Sequence, residues 1–271
     1  MKLLTLNTHS WVEDKADLKF EQLIEHLMLE NYDVITLQEV NQAIASPHIS
    51  IQPASFIPVK NQAPLRQNNF AYCIVERLKQ AGYTYYFSWQ LSHIGYEIFE
   101  EGNAILAKAS FSPKALTVSD RHDITDYRTR VNLVATFDSE KFSVASCHFS
   151  WWDTPNTGFA SEWQNFCHQT ITDKNEWIVC GDFNAPAFET AYQLIMDTNK
   201  LEDSYKIAKI REGEATIKQK IDGWEDNTKP LRIDYIFVPK QVEVTRYQRV
   251  LDGSHSPIVS DHFGVQITMD L

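Results

Sequence analysis

The sequence predicts an α/β fold in which two sheets pack face to face and helices flank them. Strand candidates extend from KLLTLN at residues 2–7 to HFGVQITM at residues 262–269. They alternate with helical segments, but several strands also follow one another directly, and strands outnumber helices. This combination favours a two-sheet sandwich over a doubly wound parallel sheet. Because no break in composition divides the chain, we expect one domain over residues 1–271.

The first half of the chain is predicted to supply two helices and several strands. After the strand KLLTLN come an amphipathic helix, ADLKFEQLIEHLMLEN (16–31), and a strand, DVITLQEV (33–40). Residues 41–68 are polar and contain four prolines, which predicts a long irregular loop. FAYCIVERLKQAG (70–82) predicts a second helix that ends before Gly82. EGNAILAK (101–108), VNLVATFD (131–138) and KFSVASCHFSW (141–151) follow as strands.

The second half begins with a predicted helix, GFASEWQNFCHQTITD (158–173), and a buried strand, EWIVCGDFN (176–184). Another helix is expected within FETAYQLIMDTN (188–199). The polar stretch 206–229 matches no motif, and neither does 41–68, so one or both are expected to shape a pocket. LRIDYIFVP (231–239), EVTRYQRVLD (243–252) and HFGVQITM complete the set of strands.

Charge and cysteine content restrict the class of protein. The chain carries 36 acidic and 25 basic residues, a net charge of −11, which argues against nucleic acid as a partner unless a bound cation reverses the local field. The four cysteines form no CxxC pair and predict free thiols rather than disulfides or a zinc site. No signal segment and no apolar run of about 20 residues occurs, so we expect a cytoplasmic protein without a membrane partner.

Polar residues stand at the ends of several predicted strands, where they predict a functional site. They are Asn7, Gln38, Glu39, His148, Asp182, Asn184, Asp234, Asp261 and His262. In CGDFN, Asp182 and Asn184 point to one side of an extended chain and Phe183 to the other. This pair is either an Asx turn or two groups that converge on a ligand. The oxygen donors of the set suit Mg²⁺, with Mn²⁺ as the alternative, rather than zinc.

Seven segments carry a resemblance to a known family. LLTLNTH, TLQEV, EGNAIL, SCHFSW, GDFNAP, RIDYIF and SDHFGV occur across residues 3–265 in the order and approximate spacing seen in the endonuclease/exonuclease/phosphatase superfamily. The resemblance implies a DNase I-like fold, a four-layer α/β/β/α sandwich whose two mixed, mostly antiparallel sheets are flanked by helices. It also implies metal-dependent hydrolysis of a phosphoester.

The resemblance implies roles for the metal and water side of the site. Glu39 resembles the principal metal-binding carboxylate, with the Asn7 amide beside it. Asp261 resembles a metal-side or a water-positioning carboxylate. Asp182 resembles the acid that orients and deprotonates the attacking water, and Asn184 would bind a phosphoryl oxygen or that water.

The resemblance also implies two histidines on the phosphate. His262 resembles one of them, with Asp234 as the carboxylate that fixes its tautomer and charge. His148 resembles the other, and Glu101 is expected to orient it. Two imidazoles held protonated by carboxylates would stabilise the charge that develops on the phosphoryl oxygens.

Substrate-binding candidates lie in two further segments. Trp151 and Trp152 follow the strand of His148 and are expected to stack on a sugar ring or a base, although most tryptophans fill cores. Arg128 and Arg130 in DYRTRVN are predicted to grip a phosphate, or alternatively to form surface ion pairs.

Three functions are compatible with these residues. The segments MKLLTLNTHSW, EGNAILAK and HFSWWDTPNTGF are similar to a bacterial branch of the superfamily, the maltose 6'-phosphate phosphatases, which favours a metal-dependent phosphomonoesterase acting on a phosphorylated sugar. The alternative is a Mg²⁺-dependent nuclease or phosphodiesterase that uses the same site, and the third is a non-enzymatic binding module. Lysines and arginines around the cleft would favour the nuclease, whereas a closed pocket lined by tryptophan would favour the sugar phosphatase.

Overall fold

The computed structural model describes residues 1–137, 142–154, 157–171, 176–218, 220–221, 223–224 and 226–270. The strands are β1 (Lys2–Asn7), β2 (Val34–Ala43), β3 (Tyr86–Gly95), β4 (Phe99–Ala107), β5 (Ser112–Thr117), β6 (Val131–Phe137), β7 (Phe142–His148), β8 (Asp153–Thr154), β9 (Thr157–Gly158), β10 (Glu176–Asp182), β11 (Leu201–Asp203), β12 (Ile210–Glu212), β13 (Asp234–Pro239), β14 (Glu243–Val250) and β15 (Gly264–Asp270). The helices are α1 (Ala16–Glu30), α2 (Phe70–Gln80), α3 (Phe159–Gln169), α4 (Thr190–Asp197) and α5 (Ser204–Ile207).

Two mixed sheets contain most of the strands. The first has the order β12-β14-β15-β1-β2-β4-β3 and the second β11-β13-β10-β7-β6-β5, while β8 and β9 form a separate pair. Strands β1 and β2 are parallel, as are β7 and β10, and these pairs lie at the centres of the two sheets. The sequence patterns found the central strands but missed β3 and β5 because neither carries a run of apolar residues.

Side-chain alternation along the central strands creates three apolar layers. On β1, Leu4 and Leu6 pack with helices α1 and α2, whereas Leu3 packs against the second sheet. On β10, Ile178 packs against the first sheet, and Val179 packs with α3 and α4. Helices therefore cover the outer face of each sheet, which confirms the predicted DNase I-like four-layer α/β/β/α sandwich.

The layer between the sheets changes in polarity along the strands, and this change positions the site. On that face the side chains run Leu3, Thr5, Asn7 on β1; Val34, Thr36, Gln38 on β2; Val144, Ser146, His148 on β7; and Ile178, Cys180, Asp182 on β10. Gln38 Nε2 donates to Ser146 Oγ at 2.9 Å and so joins the two sheets. Each strand is thus apolar where it begins, and at the carboxyl ends β1, β7 and β10 carry Asn7, His148 and Asp182.

Strand β2 continues to Ala43, and the rest of residues 41–68 forms the predicted irregular segment. Phe56 and Leu65 pack into the core beside α1 and α2, and Ile57 N donates to Phe87 O on the edge strand β3 at 2.8 Å. The segment therefore covers the edge of the first sheet, an arrangement that blocks pairing with other chains.

The inter-sheet layer draws on residues from Leu3 to Met269, which supports the predicted single domain, although that boundary stays a prediction. Across the part of the chain that the structure describes, no helix is long and apolar enough to cross a membrane.

A substitution at Gly181 tests how closely strands β7 and β10 must approach each other near their carboxyl ends. Its φ is +135°, and a Cβ there would lie 1.9 Å from the Cys147 carbonyl oxygen. We expect Gly181→Ala to lower the free energy of unfolding by at least about 4 kcal/mol, because strain and a backbone clash combine. Gly82→Ala is the control, since Gly82 has φ +89° but no neighbour within 4 Å, and should cost only about 1–2 kcal/mol. Equal losses in urea unfolding would contradict the close approach.

Candidate active site

A cavity of about 250 Å³, here called the strand-end pocket, opens at the carboxyl ends of the central strands. Its ionisable lining residues are His9, Glu39, His93, Glu101, Arg130, His148, Asp182, Asp261 and His262. Its aromatic lining residues are Tyr96, Tyr127 and Trp151. Most of the residues predicted from strand ends therefore lie together in one cavity.

Asn7 connects the two carboxylates at the floor of the pocket. Its Nδ2 donates to Glu39 Oε1 at 2.7 Å and to Asp182 Oδ2 at 3.1 Å, and its Oδ1 accepts from His9 N at 3.2 Å. Glu39 reaches this position because β2 is bulged between Leu37 and Val40 and Glu39 has φ +51°. The bulge interrupts the alternation and turns the Glu39 carboxylate into the pocket.

The donor set at the floor fits a divalent cation. Glu39, His148 and Asp182 offer ligand atoms that all lie within 4.8 Å of one another. Burial and the nearby Asp234 raise the pKa of Asp182 to about 7, and burial raises that of Glu39. Carboxylates that resist ionisation for lack of a counter-charge are suited to a hard cation. The Asn7 amide presents its nitrogen, so ligation through Oδ1 requires the amide to turn over.

Asp234 and His262 form a buried dyad beside the carboxylates. His262 Nδ1 lies 2.9 Å from Asp234 Oδ2, and its Nε2 lies 3.8 Å from Asp182 Oδ2. Asp234 stands opposite Asp182 in the β10–β13 register and is fully buried. Burial alone would lower the pKa of His262, but Asp234 and Asp182 outweigh it and raise the pKa well above 6.5. His262 is therefore an imidazolium with its Nε2–H directed into the pocket, in the pairing that the sequence predicts.

His148 differs from the expectation that both imidazoles are protonated. Its Nε2 lies 3.7 Å from Asp182 Oδ2, but burial and the positive charge of Arg130 hold its pKa well below 6.5. Glu101, expected to orient His148, instead has its carboxylate 3.3 Å from His93 Nε2. His148 is therefore a neutral ligand or hydrogen-bonding group, because its neighbours include a buried cation.

The segment Asp182-Phe183-Asn184 forms the Asx turn, and the side chains of Asp182 and Asn184 both line the strand-end pocket. Asp182 Oδ1 accepts from Asn184 N at 2.8 Å in an Asx turn, while Oδ2 faces the cluster. Phe183 turns back into the core beside α3 and α4. Asn184 Nδ2 donates to Phe149 O at 3.0 Å and Asn184 Oδ1 accepts from Trp224 Nε1 at 2.9 Å. One amide hydrogen of Asn184 is left for a ligand, since the amide carries two.

The two arginines predicted to grip a phosphate occupy different environments. Arg128 is exposed, makes two 2.8 Å bonds to Asp126, and is not among the residues that line the strand-end pocket. Arg130 lines the pocket and is only 2% exposed. Among the described residues, no carboxylate lies within ion-pair distance of Arg130. For Arg128 the ion-pair alternative therefore holds, whereas Arg130 is a buried cation available to an anion.

Aromatic residues form one wall of the pocket. The Arg130 guanidinium lies 5.8 Å from the Trp151 ring and 5.6 Å from the Trp152 ring, within cation–π range. Trp151 lines the pocket and stacks at 6.3 Å on Tyr127, and its edge meets Trp152 at 4.8 Å. Trp152 is not among the pocket-lining residues, so its part in the wall is to support Arg130 and Trp151.

Several lining residues were missed from the sequence. His9 Nδ1 lies 2.9 Å from Glu13 Oε1 and 3.9 Å from Asp261 Oδ1, so the predicted Asp261 has two unpredicted neighbours. No rule of spacing singles out His9, because it stands in a left-handed turn after β1. His93 was missed because β3 was not predicted.

Of the two segments that match no motif, 206–229 shapes the pocket. Ile221 lines it, and Trp224 bonds to Asn184. A Cβ at Gly223 would lie 2.9 Å from the Trp151 ring, which shows how closely this segment covers the aromatic wall. Residues 219, 222 and 225 of the segment lie outside the described residues.

Comparisons with known proteins agree with this geometry. A model of the endonuclease/exonuclease/phosphatase family matches residues 11–262. A search of curated protein sequences found no match.

Solved structures with the same fold cover the whole chain. A protein described as an endonuclease/exonuclease/phosphatase family protein from Leptotrichia buccalis is 27% identical, with both chains covered to 100% and a TM-score of 0.84. A mannosyl-6-phosphatase from Bacteroides thetaiotaomicron is 14% identical, with 100% coverage of both chains and a TM-score of 0.68. A 3' phosphatase from Neisseria is 17% identical, again with 100% coverage of both, and has a TM-score of 0.62.

Glu39→Gln tests the cation site without reference to turnover. A divalent cation at about 100 times its Kd should stabilise the wild-type protein by about 2.7 kcal/mol, seen as a higher Tm, and Glu39→Gln should remove most of that shift. Mg²⁺ and Mn²⁺ are the probes, with EDTA as the reference. Glu97→Gln, at an exposed position in the turn between β3 and β4, is the control and should keep the full shift. An unchanged shift in Glu39→Gln would remove Glu39 from the metal site.

Proposed function

The chain belongs to the endonuclease/exonuclease/phosphatase family, and we propose that it is a Mg²⁺-dependent phosphomonoesterase that releases inorganic phosphate from a phosphorylated sugar. The observation that carries this proposal is the position of Arg130. Among the described residues, it is the only lysine or arginine that lines the strand-end pocket, and it is buried without an ion pair.

Arg130 supplies a binding site for one phosphate group. A guanidinium presents several N–H donors in a planar fork, which matches two oxygens of a phosphate. Burial of this charge is costly unless an anion joins it, so a phosphate in the pocket relieves a cost that the free protein carries. A single buried cation suits a terminal phosphate better than the extended backbone of a nucleic acid, which is bound through many lysines and arginines.

The remaining charges of the pocket explain why a metal ion is needed. Four carboxylates line the cavity: Glu39, Glu101, Asp182 and Asp261. They would repel a phosphate dianion, so Arg130 and His262 need a further positive charge beside them. Glu39 and Asn7, with Asp261 on the same side, would hold Mg²⁺ through oxygen ligands. When bound, the ion polarises a phosphoryl oxygen and neutralises charge that develops on it.

Four side chains at the site have separate roles in the proposed reaction. Asp182 orients a water molecule and takes its proton as the water oxygen attacks phosphorus. His262 donates its Nε2–H to a phosphoryl oxygen, and Asp234 keeps it protonated and oriented. The bond between phosphorus and the sugar oxygen breaks, the leaving oxygen takes up a proton from solvent water to give an alcohol, and Asp182 then returns its proton to solvent. Asn184 holds the phosphoryl group or the water with its remaining amide hydrogen.

The aromatic wall and the size of the cavity support a sugar as the phosphorylated group. Trp151 and Tyr127 offer apolar ring faces beside Arg130, against which the C–H face of a sugar can pack. The cavity of about 250 Å³ is of a size for the phosphate and the ring that carries it, and a second sugar ring would lie at its opening. Maltose 6'-phosphate is the first substrate to test, because the segments around Asn7, Gly102 and Trp151 resemble phosphatases of that sugar.

A substrate panel separates this proposal from the nuclease or phosphodiesterase alternative. Phosphate release is measured with Mg²⁺ from maltose 6'-phosphate and other sugar phosphates, alongside plasmid DNA and a simple phosphodiester, each repeated with EDTA. Release from sugar phosphates alone, lost with EDTA, is the expected result. If plasmid DNA is nicked and no phosphate is released from sugar phosphates, the proposed substrate class is wrong, although the proposed site remains.

Arg130→Met is expected to raise KM for a sugar phosphate at least about tenfold, because a charge-assisted hydrogen bond contributes roughly 1.5–3 kcal/mol. Arg128→Met is a matched control two residues away, since Arg128 is exposed and paired with Asp126. It should leave KM within about twofold of wild type, as surface ion pairs contribute little. Similar KM values for the two variants would exclude Arg130 as the phosphate contact.

Asp182→Asn is expected to lower kcat by about 10²- to 10⁴-fold, because the amide keeps the shape of the side chain but cannot accept the proton. Its Tm should stay close to that of wild type, because relief of the repulsion with Asp234 offsets the loss of the bond from Asn7. Steady-state kinetics and thermal unfolding on the same preparation provide both values. If kcat of this variant equals that of wild type, Asp182 is not the general base.

A further inference from the structure

A buried carboxylate outside the reacting groups holds the segment that carries the two tryptophans. Glu162 lies in the first turn of α3 and is 1% exposed. Its Oε1 accepts from Ser150 Oγ at 2.6 Å, and its Oε2 accepts from Ser150 N at 2.9 Å. Both oxygens of one carboxylate are thus bound by a single residue, which fixes the position of Ser150 in two directions.

Ser150 directly precedes the aromatic wall. Residues 149–152, here called the tryptophan loop, leave the end of β7 and place both indoles beside the Arg130 guanidinium. Those indole faces lie against the Arg130 head group, whose buried Nε has no hydrogen-bond partner among the described residues. The direction of Arg130 therefore depends on how the tryptophan loop is held.

We propose that Glu162 is a positioning residue that acts through Ser150 to hold the tryptophan loop, and thereby orients Arg130 and Trp151 toward a sugar phosphate. This inference rests on the function proposed above and deepens it. It assigns substrate affinity in part to a side chain that is not among the pocket-lining residues.

An ordinary helix-terminus role accounts less well for Glu162. Acidic residues are common in the first turn of a helix because they interact favourably with its dipole. Here both oxygens of Glu162 bond to Ser150, and Phe159 N of the first turn donates to Trp152 O at 3.0 Å. Burial of a carboxylate costs free energy unless it is hydrogen-bonded, and the two bonds from Ser150 meet that requirement.

The neutral form of the side chain is sufficient for this role. Burial raises the pKa of the Glu162 carboxyl, and Arg130 and the two bonds from Ser150 act against that rise. Gln can reproduce the geometry, because its oxygen accepts from Ser150 N and its amide donates to Ser150 Oγ, which is also an acceptor. Glu162→Gln is therefore the conservative replacement, and Glu162→Ala removes both bonds.

The reacting groups are held independently of Glu162. His148 N donates to Asn132 Oδ1 at 3.0 Å, and β7 pairs with β10 as far as His148 and Asp182. Phe149 N donates to Asp182 O at 3.0 Å, so the chain is secured up to the residue before Ser150. Loss of the Glu162 bonds should therefore disturb binding contacts, which act on ground and transition states alike, and leave kcat unaffected.

Kinetics of Glu162 variants test the proposal. Glu162→Ala should raise KM for the best sugar phosphate at least about tenfold, the loss expected from two buried hydrogen bonds, with kcat within about twofold of wild type. Glu162→Gln should restore KM to within about threefold. Gln169→Ala, at the exposed end of the same helix, is the control and should match wild type. A KM for Glu162→Ala within twofold of wild type, or a Gln variant as impaired as the Ala variant, would overturn the proposal.

A second measurement separates failure of this inference from failure of the proposed function. Trp151 and Trp152 meet edge to face at 4.8 Å, so the part of the near-ultraviolet circular dichroism that Trp152→Phe removes reports the tryptophan loop without any substrate. The signal should change in Glu162→Ala, return in Glu162→Gln, and stay unchanged in Gln169→Ala. If wild type hydrolyses no sugar phosphate but the signal follows this pattern, the function is wrong and the positioning role stands. An unchanged signal in Glu162→Ala overturns the positioning role.

Discussion

The burial of Asp182 and Asp234 opposite each other on neighbouring strands is the constraint on which the site depends. The two carboxylates are 1% and 0% exposed and stand in direct register on β10 and β13. Burial and the charge of the facing Asp234 raise the pKa of Asp182. His262 compensates Asp234, and the Asn7 amide bridges Asp182 to Glu39, which leaves the Asp182–Glu39 side short of positive charge. A divalent cation bound to Glu39 would supply that charge.

The two-sheet architecture brings these residues together. Each sheet has a parallel pair at its centre, and in a parallel pair the carboxyl ends of the strands lie at the same edge. Because the two sheets face each other, Asn7 on β1 reaches Asp182 on β10 although 175 residues separate them. The bulge at Glu39 adds a residue that regular alternation would have turned away. The apolar residues at the start of the same strands form the core between the sheets. Each strand therefore contributes both to the stability of the fold and to the strand-end pocket.

The positions of the polar side chains at the strand ends were predictable from the sequence, whereas their burial and protonation were not. Period-two alternation next to apolar runs places Asp182 and His148 on the inter-sheet face. Arg128 and Arg130 are equivalent by that rule, yet Arg128 lies in a turn with Asp126 and Arg130 is buried. The lowered pKa of His148 follows from its burial and from the positive charge of Arg130. Contacts between distant segments decide these properties, and local patterns contain no information about them.

The same distinction explains why substrate class is harder to infer than reaction class. Most of the groups proposed to act on a phosphoester lie on strands, where pairing with neighbouring strands fixes their positions, and His262 lies two residues before β15. The groups that face the rest of the substrate lie on connections: Tyr127 before β6, Trp151 after β7, and Ile221 in the long segment before β13. Such connections have no periodic pattern, and their conformation depends on single buried contacts such as that of Glu162 with Ser150. A change in one of these contacts can therefore alter which molecule is bound while the phosphate chemistry stays intact.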